Sequence, residues 1–175
     1  MDRYPEAGAA LKEAQTREGL ANLRYACGDA LRLTEFADAS LDLVYGQATL
    51  HHLAHDTDAL RKEFSRVLKP GGRLVFIYEP LGHNPFWAMI RAWRIARVRM
   101  VDESNVVVPQ IEEIAQSFSA CEFQAFNFLG YPFKFFGRFA GRWLIDCAHR
   151  TDIALMHRWP RLAPLAANFN VFYTK

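Results

Sequence analysis

The sequence predicts an α/β domain organised around a parallel sheet, and three observations within residues 23–78 support this prediction. LDLVYG at Leu41–Gly46 is short and mostly apolar, as expected for a strand buried on both faces. LVFIY at Leu74–Tyr78 is a continuous apolar run between turn signals, which indicates a central strand. The segment between them has helical periodicity, so the three elements should form a right-handed crossover.

The helix between the two strands has clear start and stop signals. Asp56 or Thr57 caps its N-terminus, and a lysine, a proline and two glycines at Lys69–Gly72 end it. Its apolar residues are spaced at i, i+4, i+7 and i+8, so they form one stripe. These residues are Leu60, Phe64, Val67 and Leu68.

The flanking segments complete a single predicted domain over residues 1–175. Glu6 to Gly19 is rich in good helix formers, and Asn22 to Cys27 is predicted to be a strand that brings Asp29 to its carboxyl end. Further along the chain, we expect helices at 84–98, 109–119 and within 131–159, and strands at 121–129 and 168–173.

Composition excludes several classes of protein. No run of about 18 uncharged apolar residues occurs, and the N-terminus lacks the apolar core of a signal peptide, so we expect a cytoplasmic protein. A net charge of +2 is too small for a dedicated nucleic-acid binder. The three cysteines form no CxxC motif, which suits reduced thiols rather than a zinc site or disulfide: Cys27, Cys121 and Cys147.

Three motifs follow one another in a fixed order in the first half of the chain. They are YACGDALRLTEFADASLDLVYG, LHHL at Leu50–Leu53, and LRKEFSRVLKPGGRLVFIYEP ending at Pro80. In this order and spacing they resemble the class I S-adenosylmethionine-dependent methyltransferases, in the branch related to menaquinone and ubiquinone methylation. The resemblance implies a Rossmann-like sheet, mostly parallel, with an antiparallel C-terminal strand.

The resemblance also implies a set of cofactor-binding residues. Asp29 occupies the position of the family's acid that accepts a hydrogen bond from the adenine amino group, with Ala30 beside it. Tyr45, Gly46 and Gln47 correspond to the strand end that meets the methionine part of S-adenosylmethionine. From the residues alone, Asp29 is better explained as a turn residue, because Asp is common in turns, and it is the resemblance that favours the adenine contact.

One part of the family's pattern is missing. The glycine-rich GxGxG loop of the first strand does not occur in the 175 residues. Asp2 is a candidate for the acid that binds the ribose hydroxyls, with Glu6 or an ordinary surface acid as alternatives. We therefore expect an N-terminally incomplete sheet in which the strand at Leu41 has an unpaired apolar edge.

The histidines near the second strand allow two interpretations. His51, His52, His55 and Asp56 form HHxxHD, but no further Cys or acid at ligand spacing completes a metal site, so no metal is expected. Histidines that line a cofactor or substrate cleft explain the motif better, and His52 matches a histidine that the family often has at this position.

Two residues beyond the Leu74–Tyr78 strand are candidate catalytic bases. His83 and Glu79 follow the strand where the family builds substrate sites, and either group is able to accept a proton from an acceptor hydroxyl. Methyl transfer to a good nucleophile needs mainly positioning, so a reaction without a base is the alternative. Next to these residues, arginines and tryptophans at 85–98 predict a cap helix or a peripheral membrane contact.

The predicted function is methyl transfer from S-adenosylmethionine to a small acceptor by a truncated form of a methyltransferase, with a hydrophobic molecule as one option for the acceptor. Residues 1–80 would supply part of the cofactor site, and residues 81–175 the substrate cap and the C-terminal strands. The alternative is a catalytically inactive methyltransferase remnant that acts as an interaction or regulatory partner. The glycine-rich loop distinguishes the enzyme from the inactive remnant, because methyl transfer requires a loop whose backbone amides bind the cofactor.

Overall fold

A computed structural model describes residues 6–84, 89, 92–93, 105–128 and 141–175 of the chain. Its helices are α1 (Glu6–Glu18), α2 (Leu50–Leu53), α3 (Thr57–Val67), α4 (Val108–Ala115) and α5 (Arg142–Arg158), with a 3-10 helix at Pro160–Leu165. Its strands are β1 (Leu41–Gln47), β2 (Leu68–Pro80), β3 (Ala120–Phe126) and β4 (Asn168–Thr174). None of the helices described is long and apolar enough to cross a membrane.

The four strands form one sheet in the order β1-β2-β4-β3. β1 and β2 are parallel, with Tyr45 opposite Val75, and β4 is antiparallel to both of its neighbours. Three strands therefore run in one direction and the C-terminal strand runs in the other. This arrangement confirms the mixed, mostly parallel sheet that the sequence predicts.

The core lies on one face of the sheet. Phe76 of β2 and Phe169, Val171 and Tyr173 of β4 are almost completely buried, because alternate residues of a strand point to the same face. They pack in one cluster with the apolar residues of α3 and α4, which include Leu60, Phe64, Val67, Ile111 and Ile114. The stripe predicted for α3 is thus confirmed.

Local signals account for the ends of α3. The Asp56 carboxylate accepts a hydrogen bond from the backbone N–H of Ala59 at 2.9 Å, which makes Asp56 the N-cap. The helix ends at Val67 and the chain passes directly into β2. β2 is longer than the predicted strand Leu74–Tyr78. It also includes the Lys69–Gly72 segment, where the pairing of β2 with β1 is irregular.

Two predictions about strands are wrong. Residues 22–26 form turns and irregular backbone, and Cys27 makes a single β-bridge, whereas a strand needs a continuous ladder of hydrogen bonds. β1 is not buried on both faces either, since Leu43 and Tyr45 are each 55% exposed. The exposure of β1 follows from its position, because among the described residues β1 pairs with β2 alone and forms the edge of their sheet.

Candidate active site

The carboxyl ends of three strands meet at one edge of the sheet. β1 ends at Gln47, β2 at Pro80 and β3 at Phe126, and the three strands run in the same direction. β4 begins at this edge, with Asn168 paired to both Pro80 and Phe126. Open α/β sheets bind ligands outside the carboxyl ends of their strands, so this edge is the candidate site.

Unusual backbone conformations occur at the same edge. Ala48, Tyr78 and Asn127 have φ values of 48°, 57° and 64°, in the left-handed region that L residues seldom adopt. Each of the three lies at the carboxyl end of a different parallel strand. Such conformations cost free energy and are concentrated at functional sites, which supports the assignment of the site to this edge.

The end of β1 carries three of the predicted cofactor residues. Tyr45 is exposed and donates a long hydrogen bond of 3.4 Å to Oε1 of Gln47, which is itself exposed. Gly46 is buried, and a β-carbon there would lie 2.7 Å from Cδ1 of Phe76. A side chain at position 46 would therefore collide with the core, so glycine is required by packing.

The turn that follows β1 is held by the carboxyl group of Glu79, which is completely buried. Its Oε1 accepts hydrogen bonds from the backbone N–H groups of Thr49 and Leu50, at 2.6 and 2.8 Å. Its Oε2 lies 3.2 Å from the backbone nitrogen of His51 and 2.9 Å from the Nδ1 atom of the same residue. The ring of His52, a predicted cofactor residue, lies 4.0 Å from the ring of His51.

Asp29 and Ala30 lie on a separate, exposed turn. The Oδ1 atom of Asp29 accepts a hydrogen bond from the backbone N–H of Leu31 at 3.0 Å, so Asp29 does stabilise a turn. Ala30 and Leu31 pack against the core cluster that also contains Leu50 and Phe76. The Asp29 turn and the end of β1 therefore pack on the same core cluster.

An ion-pair network fixes the loop after Asp29 on α3. Arg66 donates hydrogen bonds to the carbonyl groups of Leu33 and Phe36 and to the carboxylates of Asp38 and Glu63. Glu63 also accepts a hydrogen bond from the backbone N–H of Leu33 at 2.6 Å. The hydrogen bond from Arg66, more than any other effect, lowers the pKa of Glu63 below its usual value.

His83 is exposed and contacts the start of α4. Its Nε2 atom accepts a hydrogen bond from the backbone N–H of Val108 at 2.9 Å. The neutral imidazole consequently carries its proton on Nδ1. Before Nε2 of His83 could accept a proton, its hydrogen bond from the backbone N–H of Val108 would have to break.

The other residues of the HHxxHD motif have local structural contacts. The Nδ1 atom of His55 lies 2.9 Å from the carbonyl oxygen of His52, and Asp56 caps α3. Within the described residues, no group of three or more His, Cys, Asp or Glu side chains is arranged to hold a metal ion. Asp2, the predicted ribose ligand, lies outside those residues, as does most of the predicted basic helix at 85–98.

The structure therefore brings Tyr45, Gly46, Gln47, His52 and Glu79 together around one turn. It also places His51, one of the histidines expected at the cleft, at this turn and adds residues that the sequence interpretation missed: Thr49, Tyr78, Phe126, Asn127, Asn168 and Asn170. His51 has a signal in the sequence because it belongs to LHHL. The others have none, because their proximity depends on the order of the strands.

The sequence is similar to known proteins over part of its length. The family model described as a methyltransferase domain matches residues 1–76. The uncharacterised protein YafE of Escherichia coli is 38% identical over 65 residues, which is 37% of this chain and 26% of YafE.

Solved structures are similar over nearly the whole chain. Phosphoethanolamine N-methyltransferase 2 of Haemonchus contortus, in complex with phosphomonomethylethanolamine and S-adenosylhomocysteine, has a TM-score of 0.62 at 22% identity, covering 99% of this chain and 42% of that one. The YcgJ protein of Bacillus subtilis has a TM-score of 0.59 at 16% identity, with coverages of 99% and 80%. The chain shares its fold with these two proteins. The chain spans less than half of the Haemonchus enzyme and about a quarter of YafE.

Proposed function

We propose that this chain binds S-adenosylmethionine at the carboxyl edge of its sheet and takes part in methyl transfer to a small acceptor. The observation that carries the proposal is the convergence of the ends of β1 and β2 on the turn at residues 48–52. The methyltransferase-domain match over residues 1–76 supports it. So does the fold similarity to an N-methyltransferase that was solved with S-adenosylhomocysteine.

Each cofactor-binding residue has a proposed role. Asp29 accepts a hydrogen bond from the adenine amino group, since an exocyclic amine requires an acceptor. Tyr45, Gln47 and His52 line the turn that faces the methionine part of the cofactor. Gly46 contributes through packing, because its missing side chain lets β1 lie against Phe76.

The acceptor is proposed to lie over the ends of β2 and β3. There the rings of Tyr78 and Phe126 meet edge to face with centroids 5.4 Å apart, and Asn127 and Asn168 join their side-chain amides at 3.1 Å. Aromatic faces beside amide groups suit a small molecule with an apolar body and a polar group. The motifs typical of menaquinone and ubiquinone methylation support a hydrophobic acceptor.

His83 remains the candidate base for an acceptor that needs deprotonation. Its exposed ring is near the carboxyl edge of the sheet, but its acceptor nitrogen is occupied by the N–H of Val108. A base role therefore requires α4 to give up this contact in the complex with substrate. The competing view is that methyl transfer here depends on positioning and that His83 only fixes α4.

A second candidate function is that of a catalytically inactive partner of another protein. The exposed side chains of Leu43 and Tyr45 on β1 favour it. An exposed apolar strand at a sheet edge is a place where another chain is able to pair.

A titration of the ¹⁵N-labelled protein with S-adenosylhomocysteine, followed by NMR, tests the proposal. The cofactor-binding function predicts shifted amide signals at residues 29–31 and 45–52, while the signals of residues 142–158 stay in place. No shift at saturating ligand would reject cofactor binding by this chain and favour the inactive partner. Release of S-adenosylhomocysteine from S-adenosylmethionine with a panel of small amines and phenols then tests transfer.

A further inference from the structure

We infer that Glu79 is a positioning residue: its buried carboxyl group fixes the turn between β1 and α2 and, through His51, the ring of His52. This inference goes beyond the candidate base role. It rests on the proposed function only where it concerns the cofactor, because the turn itself is held by contacts within the chain.

The contacts of Glu79 argue against a base and for an anchor. Among the described residues, four groups of Thr49, Leu50 and His51 lie within hydrogen-bond distance of its oxygens, and three of them are backbone N–H groups, which only donate. An ionised carboxyl group has acceptor sites only, so it matches this set. The side chain is 0% exposed, which leaves no path for an acceptor molecule to reach either oxygen.

The position of Glu79 in the sheet explains why such an anchor has an effect at the site. Glu79 belongs to β2, immediately after the left-handed Tyr78, whereas Thr49–His51 follow β1. The carboxyl group thus links the carboxyl ends of two neighbouring parallel strands, β1 and β2. It also satisfies N–H groups of the first turn of α2, which have no partner within the helix.

The link continues from the backbone to a side chain. A hydrogen bond between Nδ1 of His51 and Oε2 of Glu79 fixes the imidazole plane of His51. The ring of His52 lies 4.0 Å from this imidazole at an interplanar angle of 40°. Glu79 therefore sets the orientation of two successive histidines at the candidate cofactor site, and the second of them faces away from the core because it is exposed.

Hydrogen exchange followed by NMR tests the inference, with Glu79→Gln as the variant and Glu122→Gln as the matched control on exposed β3. In the unaltered chain, the amides of Thr49, Leu50 and His51 should be protected although they begin a helix. In Glu79→Gln their protection should fall by at least about tenfold relative to Leu74 and Val171, because the new NH₂ group opposes a donor. Glu122→Gln should leave all of these amides unchanged.

A spectroscopic signature separates positioning from a general loss of stability. The ¹⁵N shifts of the His51 ring should report Nδ1 as the protonated nitrogen in the unaltered chain and a changed tautomer mixture in Glu79→Gln. Unprotected Thr49–His51 amides in the unaltered chain would overturn the inference, even if the variant failed to fold. An equal loss of protection throughout the sheet in Glu79→Gln would overturn it too.

Calorimetry with S-adenosylhomocysteine separates this inference from the proposed function. If both hold, the unaltered chain binds and Glu79→Gln binds at least about tenfold more weakly, which corresponds to about 1.4 kcal/mol. If the unaltered chain does not bind but its turn shows the protection pattern, the proposed function fails and the positioning role stands. Equal affinity of the two proteins would overturn the effect of Glu79 on the cofactor.

Discussion

Gly46 lies against the buried ring of Phe76 so closely that a β-carbon at position 46 would come within 2.7 Å of Cδ1 and 2.8 Å of Cε1. Phe76 is 1% exposed and meets Phe64 edge to face at 6.1 Å, so its ring has little room to move. This contact sets the distance between the last residues of β1 and the neighbouring strand. The glycine that the sequence offers as a cofactor residue is thus also a packing residue.

Gly46→Ala is expected to lower the free energy of unfolding by about 1–3 kcal/mol, the usual cost of adding a methyl group to a packed core. Urea unfolding followed by circular dichroism measures the change. Gly141→Ala is the matched control, because a β-carbon there meets no atom of the described residues within 4 Å. Adding Phe76→Leu to Gly46→Ala should recover part of the loss, and strict additivity of the two changes would contradict the packing explanation.

The ion pair of Glu63 with Arg66 predicts a defined pH dependence of stability. Because the pKa of Glu63 is lower in the folded chain, its stabilising effect is complete above the unfolded value of about 4.3 and is lost as the pH falls through the folded value. Glu63→Gln should therefore cost most stability at pH 7 and progressively less below about pH 4. If the stability lost through Glu63→Gln grew as the pH fell, the prediction would be contradicted.

Arg66 should be needed to hold the loop that follows Asp29. Arg66→Lys removes the planar group that reaches Leu33, Phe36, Asp38 and Glu63 together, and an ammonium group cannot replace it. We expect lower stability and faster proteolysis within residues 30–38. The control is Lys69→Ala, which removes an exposed pair with Asp42 worth at most about 1 kcal/mol.

His83→Ala should weaken the start of α4 by about 0.5–1.5 kcal/mol, the usual worth of a hydrogen bond. Hydrogen exchange at the Val108 amide measures the local effect. In a protein that shows methyl transfer, the same variant decides the base role. A loss of turnover at unchanged cofactor affinity would support His83 as base, and unchanged turnover would exclude it.

Patterns in the sequence were sufficient for elements whose partners are close in the chain. α1, β1, α3 and β4 occur where periodicity, capping residues and apolar runs predict them, and Asp56 is the N-cap. The segment at 22–27 could not be predicted in the same way. Its alternation is typical of a strand, yet strand formation depends on a neighbour that the segment itself does not specify.

From the sequence, residues could be assigned to the site only where they lie within one short motif. The local sequence was enough to place Gly46 and Gln47 at a strand end. The hydrogen bond between Thr49 and Glu79, in contrast, joins positions 30 residues apart. The Tyr78–Phe126 pair likewise depends on β4 lying between β2 and β3, an order that no short pattern contains. Tertiary contacts of this kind become visible only when the topology is known.

The most direct test of cofactor binding is isothermal titration of the 175-residue protein with S-adenosylhomocysteine, compared with Asp29→Ala and Asp42→Ala. Asp29 lies on the turn proposed to hold adenine, whereas Asp42 is an exposed acid near the opposite end of β1. We predict saturable binding that Asp29→Ala weakens by about tenfold, the effect of losing one hydrogen bond to the ligand. Asp42→Ala should leave the affinity unchanged. Absence of binding to the unaltered protein, or equal affinity of the protein and its Asp29→Ala variant, would contradict the proposed site.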